Sequence, residues 1–130
     1  MALGDLERAA SAIAQRAASG EIGEETIAGW IREGRVEDAL AALGHLAQVP
    51  LAMVARAYHA PEYDPLLFLV RSLGFGWIVF KLLLTKKTGR QPSYDMMRSA
   101  FGSFQQLSVS TAQRVVRFTA ARESSAQAAA

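Results

Sequence analysis

A chain of 130 residues corresponds to one domain, long enough to bury about two-thirds of its unfolded surface. With 51% hydrophobic and 20% charged residues and a formal net charge of +2, it is too apolar and too weakly charged to remain disordered. Zero cysteines exclude a disulfide framework, a thiolate metal site and a thiol nucleophile, while Asp5, Glu7 and Arg8 leave no apolar signal-peptide core, so a cytoplasmic location is expected.

The predicted elements are helices throughout. Leu6, Ala9, Ala10, Ile13, Ala14 and Ala17 recur at intervals of three and four, one apolar stripe at the helical period, with Asp5 as N-cap and Gly20 as the stop. Being mostly alanine, this stripe should bind the core only lightly. A second helix covers about residues 24–33, with Ile27, Trp30 and Ile31 on one face and Gly34 as a left-handed C-terminal cap. Val36, Leu40, Leu43 and Ala47 form a third stripe, and Pro50, which lacks an amide proton, suits the first turn of a fourth helix carrying Leu51, Val54, Ala55 and Tyr58. After a loop, Asp64 caps and Pro65 opens a fifth helix. Its Leu66, Leu67, Phe68, Leu69, Val70 and Leu73 are apolar almost all round, the mark of a buried helix. Gly74, Phe75 and Gly76 break it before a sixth helix with Trp77, Phe80, Leu83 and Leu84, which Thr88 and Gly89 end. Ser93 caps a seventh helix with Tyr94, Met97, Phe101 and Phe104; Ser108 or Ser110 caps an eighth with Ala112, Val115, Val116 and Thr119.

Shifting residues 39–58 by 26 positions lays Leu40 on Leu66, Leu43 on Leu69, Ala47 on Leu73, Val54 on Phe80 and Tyr58 on Leu84. The architecture expected from this is all-α, with seven or eight short helices in stacked hairpins, a HEAT-like α-solenoid fragment whose last two helices make a third, diverged pair. A single helical domain is expected over residues 1–122, with N-terminal helices in 1–34, repeat-like hairpins in 36–122 and a flexible tail in 123–130. Leu40, Leu43, Val54, Leu66, Leu69, Leu73, Phe80, Phe104 and Val116 are its predicted core. Residues 65–84 are apolar enough to suggest a bilayer span, but Arg71 near the middle costs about 2.5 to 3.5 kcal/mol there, which favours two buried helices and no transmembrane segment.

Over residues 36–122 the chain carries Leu43-Gly44-His45-Leu46-Ala47-Gln48-Val49-Pro50, Val54-Ala55-Arg56, Leu69-Val70-Arg71-Ser72-Leu73-Gly74-Phe75 and Thr111-Ala112-Gln113-Arg114-Val115-Val116-Arg117-Phe118. In these motifs it resembles the alphaproteobacterial domain of unknown function 2336. The resemblance implies an all-helical, HEAT-like domain and brings no catalytic residue with it.

Charge divides the chain unevenly. Residues 1–64 hold five basic and ten acidic side chains, and residues 65–130 hold nine basic and two acidic. Lys86, Lys87 and Arg90 cluster after the sixth helix, and Arg114 and Arg117 share a face of the eighth, as an acidic or phosphate-rich partner would require. Against that stands intramolecular complementarity between the halves, favoured because no aromatic side chain is interleaved with the cations as a base-stacking platform. Residues 46–57 also resemble a helix-turn-helix, yet between Pro50 and His59 only Arg56 has the chemistry to read base edges. His45 and His59 fall on different elements, and the loop residues Glu62 and Asp64 read as solvated charge and helix cap, so no metal site is expected. Gly74-Phe75-Gly76 lacks the third glycine and the preceding strand of a dinucleotide fingerprint.

No catalytic, cofactor-binding or metal-binding set is read. The chain is expected to be a non-enzymatic protein–protein interaction module, scaffold or regulatory, with a nucleic-acid-binding module built on the basic half as the alternative. Its expected interaction surface comprises Phe75, Trp77, Ile78, Lys86, Lys87, Arg90, Arg114 and Arg117. Phe68, Phe75, Trp77, Ile78, Val79 and Phe80 exceed what one covering layer easily hides, so a twofold homodimer pairing acidic with basic halves is expected, unless the first two helices fold back over the same surface.

Overall fold

The computed structural model describes residues 3–18, 20 and 22–129, with the side chains of 17, 18 and 126–129 left aside; Ala17 of the first predicted stripe and the last residue of the predicted tail therefore lie outside it. Among the described residues eight helices account for the fold: α1 (Leu3–Ala18), α2 (Glu24–Arg32), α3 (Val36–Ala47), α4 (Leu51–His59), α5 (Asp64–Ser72), α6 (Trp77–Thr88), α7 (Tyr94–Gln106) and α8 (Val109–Ala129). Among the described residues there is no strand. The result is an all-α bundle consistent with stacked hairpins.

Most helix ends carry their expected chemistry. Gly34 adopts φ +82° and its neighbour Arg35 donates an amide bond to the Trp30 carbonyl at 2.8 Å, closing α2 with a left-handed cap. Ser93 Oγ accepts the Met96 amide at 3.1 Å, and Ser108 rather than Ser110 accepts the Thr111 amide, also at 3.1 Å. Three expectations are corrected. Asp5 is not an N-cap, because α1 already begins at Leu3 and Asp5 instead pairs with Arg8 in the first turn. Tyr63, not Asp64, precedes α5, its position set by tertiary contacts described below, and Asp64 lies inside the first turn, where the helix dipole still favours a carboxylate. Pro50 is the extended residue before α4, at ψ 143°, not its first helical residue. Opposite it, Gln48 takes the left-handed conformation at φ 58° that closes α3.

α5 is the hub. It packs against α3 and α4 on one flank and against α6 and α8 on the others, which explains why its sequence is apolar all round. α6 is covered by α2, α5 and α7 in the same way. α1 lies along α3 in the most extensive helix–helix contact of the molecule. Its alanines do not hold it off the core. Leu6 and Ile13 are buried, and Ala9 and Ala10 pack at the edge of the core. Every predicted core residue is buried except Leu73, which is half-buried.

α7 and α8 do not form the expected third hairpin. α7 takes its contacts from α6, and α8 lies along α5, so the pair splays. α8 also continues as helix through residues 123–129, the stretch set apart in the sequence as a tail. Of the first two helices, α2 folds back over α6, where its Glu24 carboxylate accepts the Gly76 amide, while α1 packs on α3 and α4. Val79 and Phe80 are buried, Phe68, Phe75 and Trp77 half-buried, and Ile78 exposed, with Trp77 and Phe80 packed against Phe104 of α7, so the apolar bulk that argues for a dimer is largely absorbed within the chain.

Candidate functional site

The expected surface residues separate into groups that do not share a face. Trp77 begins α6 and is the hub of an aromatic cluster: its ring centroid lies 5.0 Å from Phe101, 5.7 Å from Phe80 and 5.8 Å from Phe104, all edge-on. Phe80 in turn stacks on Phe104 and meets Tyr63 edge-on. The Tyr63 hydroxyl reaches Ser99 Oγ at 3.1 Å and Ser103 Oγ at 3.2 Å, and Arg71 lies 4.9 Å over the Phe104 ring while donating from Nε to the Leu107 carbonyl at 2.9 Å. These contacts fasten α7 to the α5–α6 hairpin. Trp77 is therefore a packing residue as much as a surface one.

On the outer side of this cluster the α6–α7 pair leaves a shallow groove of about 380 Å³, bordered by Trp77, Lys81, Pro92, Tyr94 and Met97. Exposed Tyr94, at 77%, borders it, Phe101, 40% exposed, meets its Trp77 edge-on, and Ile78, 48% exposed, follows Trp77 on α6. Ile78 was expected at the surface. Tyr94, Met97 and Phe101 were expected to pack, because their spacing of three and four places them on one stripe. In the fold Ala100 and Phe104 form the buried line of α7, one step around the helix, and the Tyr94–Phe101 line faces out. The available signal was topological: a helix docked by one neighbour buries one narrow line, and an apolar set wider than that line must show.

The basic residues divide as well. Lys86 and Arg90 are exposed near the C-terminal end of α6. Lys87 is half-buried and spends its ammonium on α4, donating to the Tyr58 carbonyl at 2.7 Å and to the Ala60 carbonyl. Burial draws its pKa below the ordinary lysine value. Arg114 and Arg117 lie at the other end of the bundle, since α8 starts beside the C-terminus of α5, where Gln113 donates to the Ser72 carbonyl, and Arg117 borders Leu46, Gln48 and Leu73. Lys87, by contrast, sits beside the start of α5 with Glu62 and Asp64. The two cationic groups are thus at opposite ends of the same hairpin. Among the described residues the ion pairs do not join the halves by sign: Asp5 pairs with Arg8, and Glu33 and Asp38 with Arg35, all within the acidic half, while Arg56 pairs with Glu123, each the minority charge of its own half.

A second concavity, about 510 Å³, opens between α4, α5 and α8, with Met53, Ala57, Phe68, Leu69, Val115 and Val116 in its walls and Arg56 and His59 at its edge. No reading of the sequence anticipated it. Among the described residues no three histidines, aspartates or glutamates lie close enough to hold a metal ion, and no helix is long and apolar enough to cross a membrane.

Neither a curated protein nor a solved structure matches this chain. The model of one family does, over residues 1–117, and so takes in α1 and α2 as well as residues 36–117 of the segment whose motifs carry the resemblance. With that match extending across nearly all of the bundle, the chain belongs to the family described as an uncharacterised protein conserved in bacteria (DUF2336).

Proposed function

We propose that the protein is a non-enzymatic, cytoplasmic helical module that binds another protein through the α6–α7 groove. The observation that carries this reading is a concave strip floored by Trp77 and Met97, with exposed Tyr94 at its border and exposed Phe101 edge-on to Trp77. Exposed large side chains scattered singly need no explanation, but a contiguous set beside a groove supports an interaction site. Lys81 and Arg98 flank the strip and are exposed, which suits an amphipathic helix with acidic residues along its edge. The stacked-hairpin arrangement fits a scaffold role, since it presents such a strip on a rigid support. The nucleic-acid alternative draws less support, because the cations it would use stand at opposite ends of α5 and one of them, Lys87, is committed to α4 carbonyls.

The test is a comparison of affinity purifications from the native bacterium, using the wild-type chain and the Ile78→Glu/Phe101→Glu variant. Helicity of the variant is checked by circular dichroism. Proteins retained by the wild type and lost by the variant are the expected result. A set of bound proteins unaltered by the two charges refutes the surface, and retention of nucleic acid that falls steeply with salt refutes the class.

A further inference from the structure

We propose that the cleft between α4, α5 and α8 binds a single-chain amphiphile with an anionic head, a fatty carboxylate being the simplest example. The cleft arises from the way α8 docks. α4 and α8 lie against different flanks of α5, and between them a wedge stays open, spanned by the Arg56–Glu123 ion pair. Phe68 and Leu69 of α5 floor the wedge, Met53 and Ala57 form one wall, and Val115 and Val116 form the other. A space of about 510 Å³ is within the ordinary range of small-molecule sites, and walls of this composition offer an aliphatic chain what they offer nothing polar.

The head group follows from the Arg56 guanidinium at the rim. Arg56 and His59 both border the cleft, and no carboxylate is among its lining side chains. Glu123 engages Arg56 through Nη2, yet a guanidinium presents five donors and a single carboxylate takes at most two of them, which leaves others for a ligand. The C-terminal end of α4 would ordinarily repel an anion through its exposed carbonyls. Here Lys87 donates to the carbonyls of Tyr58 and Ala60 at that end and so offsets part of that repulsion. An aliphatic tail on Phe68 and Leu69 with its carboxylate at Arg56 satisfies both halves of the site.

The test titrates methyl-labelled protein with dodecanoate and, separately, with dodecanol, below the concentrations at which either aggregates. Saturable shifts of the Leu69, Val115 and Val116 methyls on adding dodecanoate are expected. Arg56→Gln should weaken dodecanoate about tenfold and leave dodecanol unchanged, as loss of one charge-assisted contact requires. Thr119→Trp, which adds an indole at the rim from an exposed helical position, should abolish binding of both, and Val115→Phe should do the same if the first variant is not fully helical. No saturable shift, equal affinity for acid and alcohol in the wild type, or undiminished binding by the two filled variants overturns the proposal. So do methyl shifts that follow protein concentration without ligand, which would seat a second copy in the cleft. None of these outcomes depends on the α6–α7 groove, whose Ile78 methyl should stay unshifted.

Discussion

Two lysines that look alike in the sequence differ most at the residue scale. Lys86 is exposed, whereas Lys87 reaches across to the carbonyls of Tyr58 and Ala60. Replacing Lys87 by Met should cost about 1 to 3 kcal/mol, because two half-buried acceptors lose a charged donor, while Lys86→Met should stay within about 0.5 kcal/mol. Urea denaturation of the two variants side by side checks this. Glycines divide in the same manner. A Cβ on Gly44 would stand 3.0 Å from Val54 Cγ2 at the tightest point of the α3–α4 hairpin, while one on Gly29 meets nothing. Alanine should gain about 0.5 to 1 kcal/mol of helix propensity at Gly29, but at Gly44 overpacking of about 1 to 3 kcal/mol should exceed that gain and leave the protein less stable. Thermal melts of the two variants should move in opposite directions. Tyr58 adds a pH dependence: burial first, and then the Glu37 carboxylate, raise its phenol above the usual 10.0. A raised folded pKa means the native state holds the proton longer than the unfolded state does. Stability from this group is therefore intact below pH 10 and declines as pH rises from there through the folded pKa. Tyr58→Phe should flatten that decline relative to wild type in urea midpoints measured across the same range.

Helices were largely legible and their partners less so. The period of three and four, the glycine at 34 and the serines at 93 and 108 are local signals with local consequences, and each holds in the fold. What escaped was anything set by which helix meets which. Alanine richness in α1 does not tell which helix it meets, and α1 lies along α3. The Tyr94–Phe101 stripe was taken for core because amphipathicity tells which residues share a face, not whether another helix covers it. The same holds for the candidate sites: Trp77 and Ile78 were legible as large apolar residues at a helix start, but the groove beside them depends on how α7 is hung. α7 packs on α6 and is pinned by Arg71, whose guanidinium serves both the Leu107 carbonyl and the Phe104 ring. Arg71→Met should thus lower stability by about 1.5 to 3 kcal/mol and release α7 first. Amide hydrogen exchange should quicken through Tyr94–Gln106 in this variant, and uniform quickening that includes α3 would show α7 to be no separate unit.

For the molecule as a whole, the uneven charge of the sequence does not become a charged face. Acidic residues near the N-terminus pair with neighbouring arginines, one lysine of the basic half holds α4, and the remaining cations are parted by the length of α5. The apolar bulk in residues 68–80 is mostly enclosed within the chain; of the part left over, Phe68 lies in the α4–α5–α8 cleft and Trp77 at the α6–α7 groove. Family membership over residues 1–117 covers every helix that builds this groove. Its role in binding is tested most directly by placing a photo-reactive phenylalanine at position 94 and irradiating the native bacterium. A covalent adduct to a protein is expected from this position, absent when Phe101→Glu is added and absent when the reactive group is moved to the exposed position 86. Adducts that form equally well at position 86, or that persist with Phe101→Glu, would contradict the groove as the binding surface.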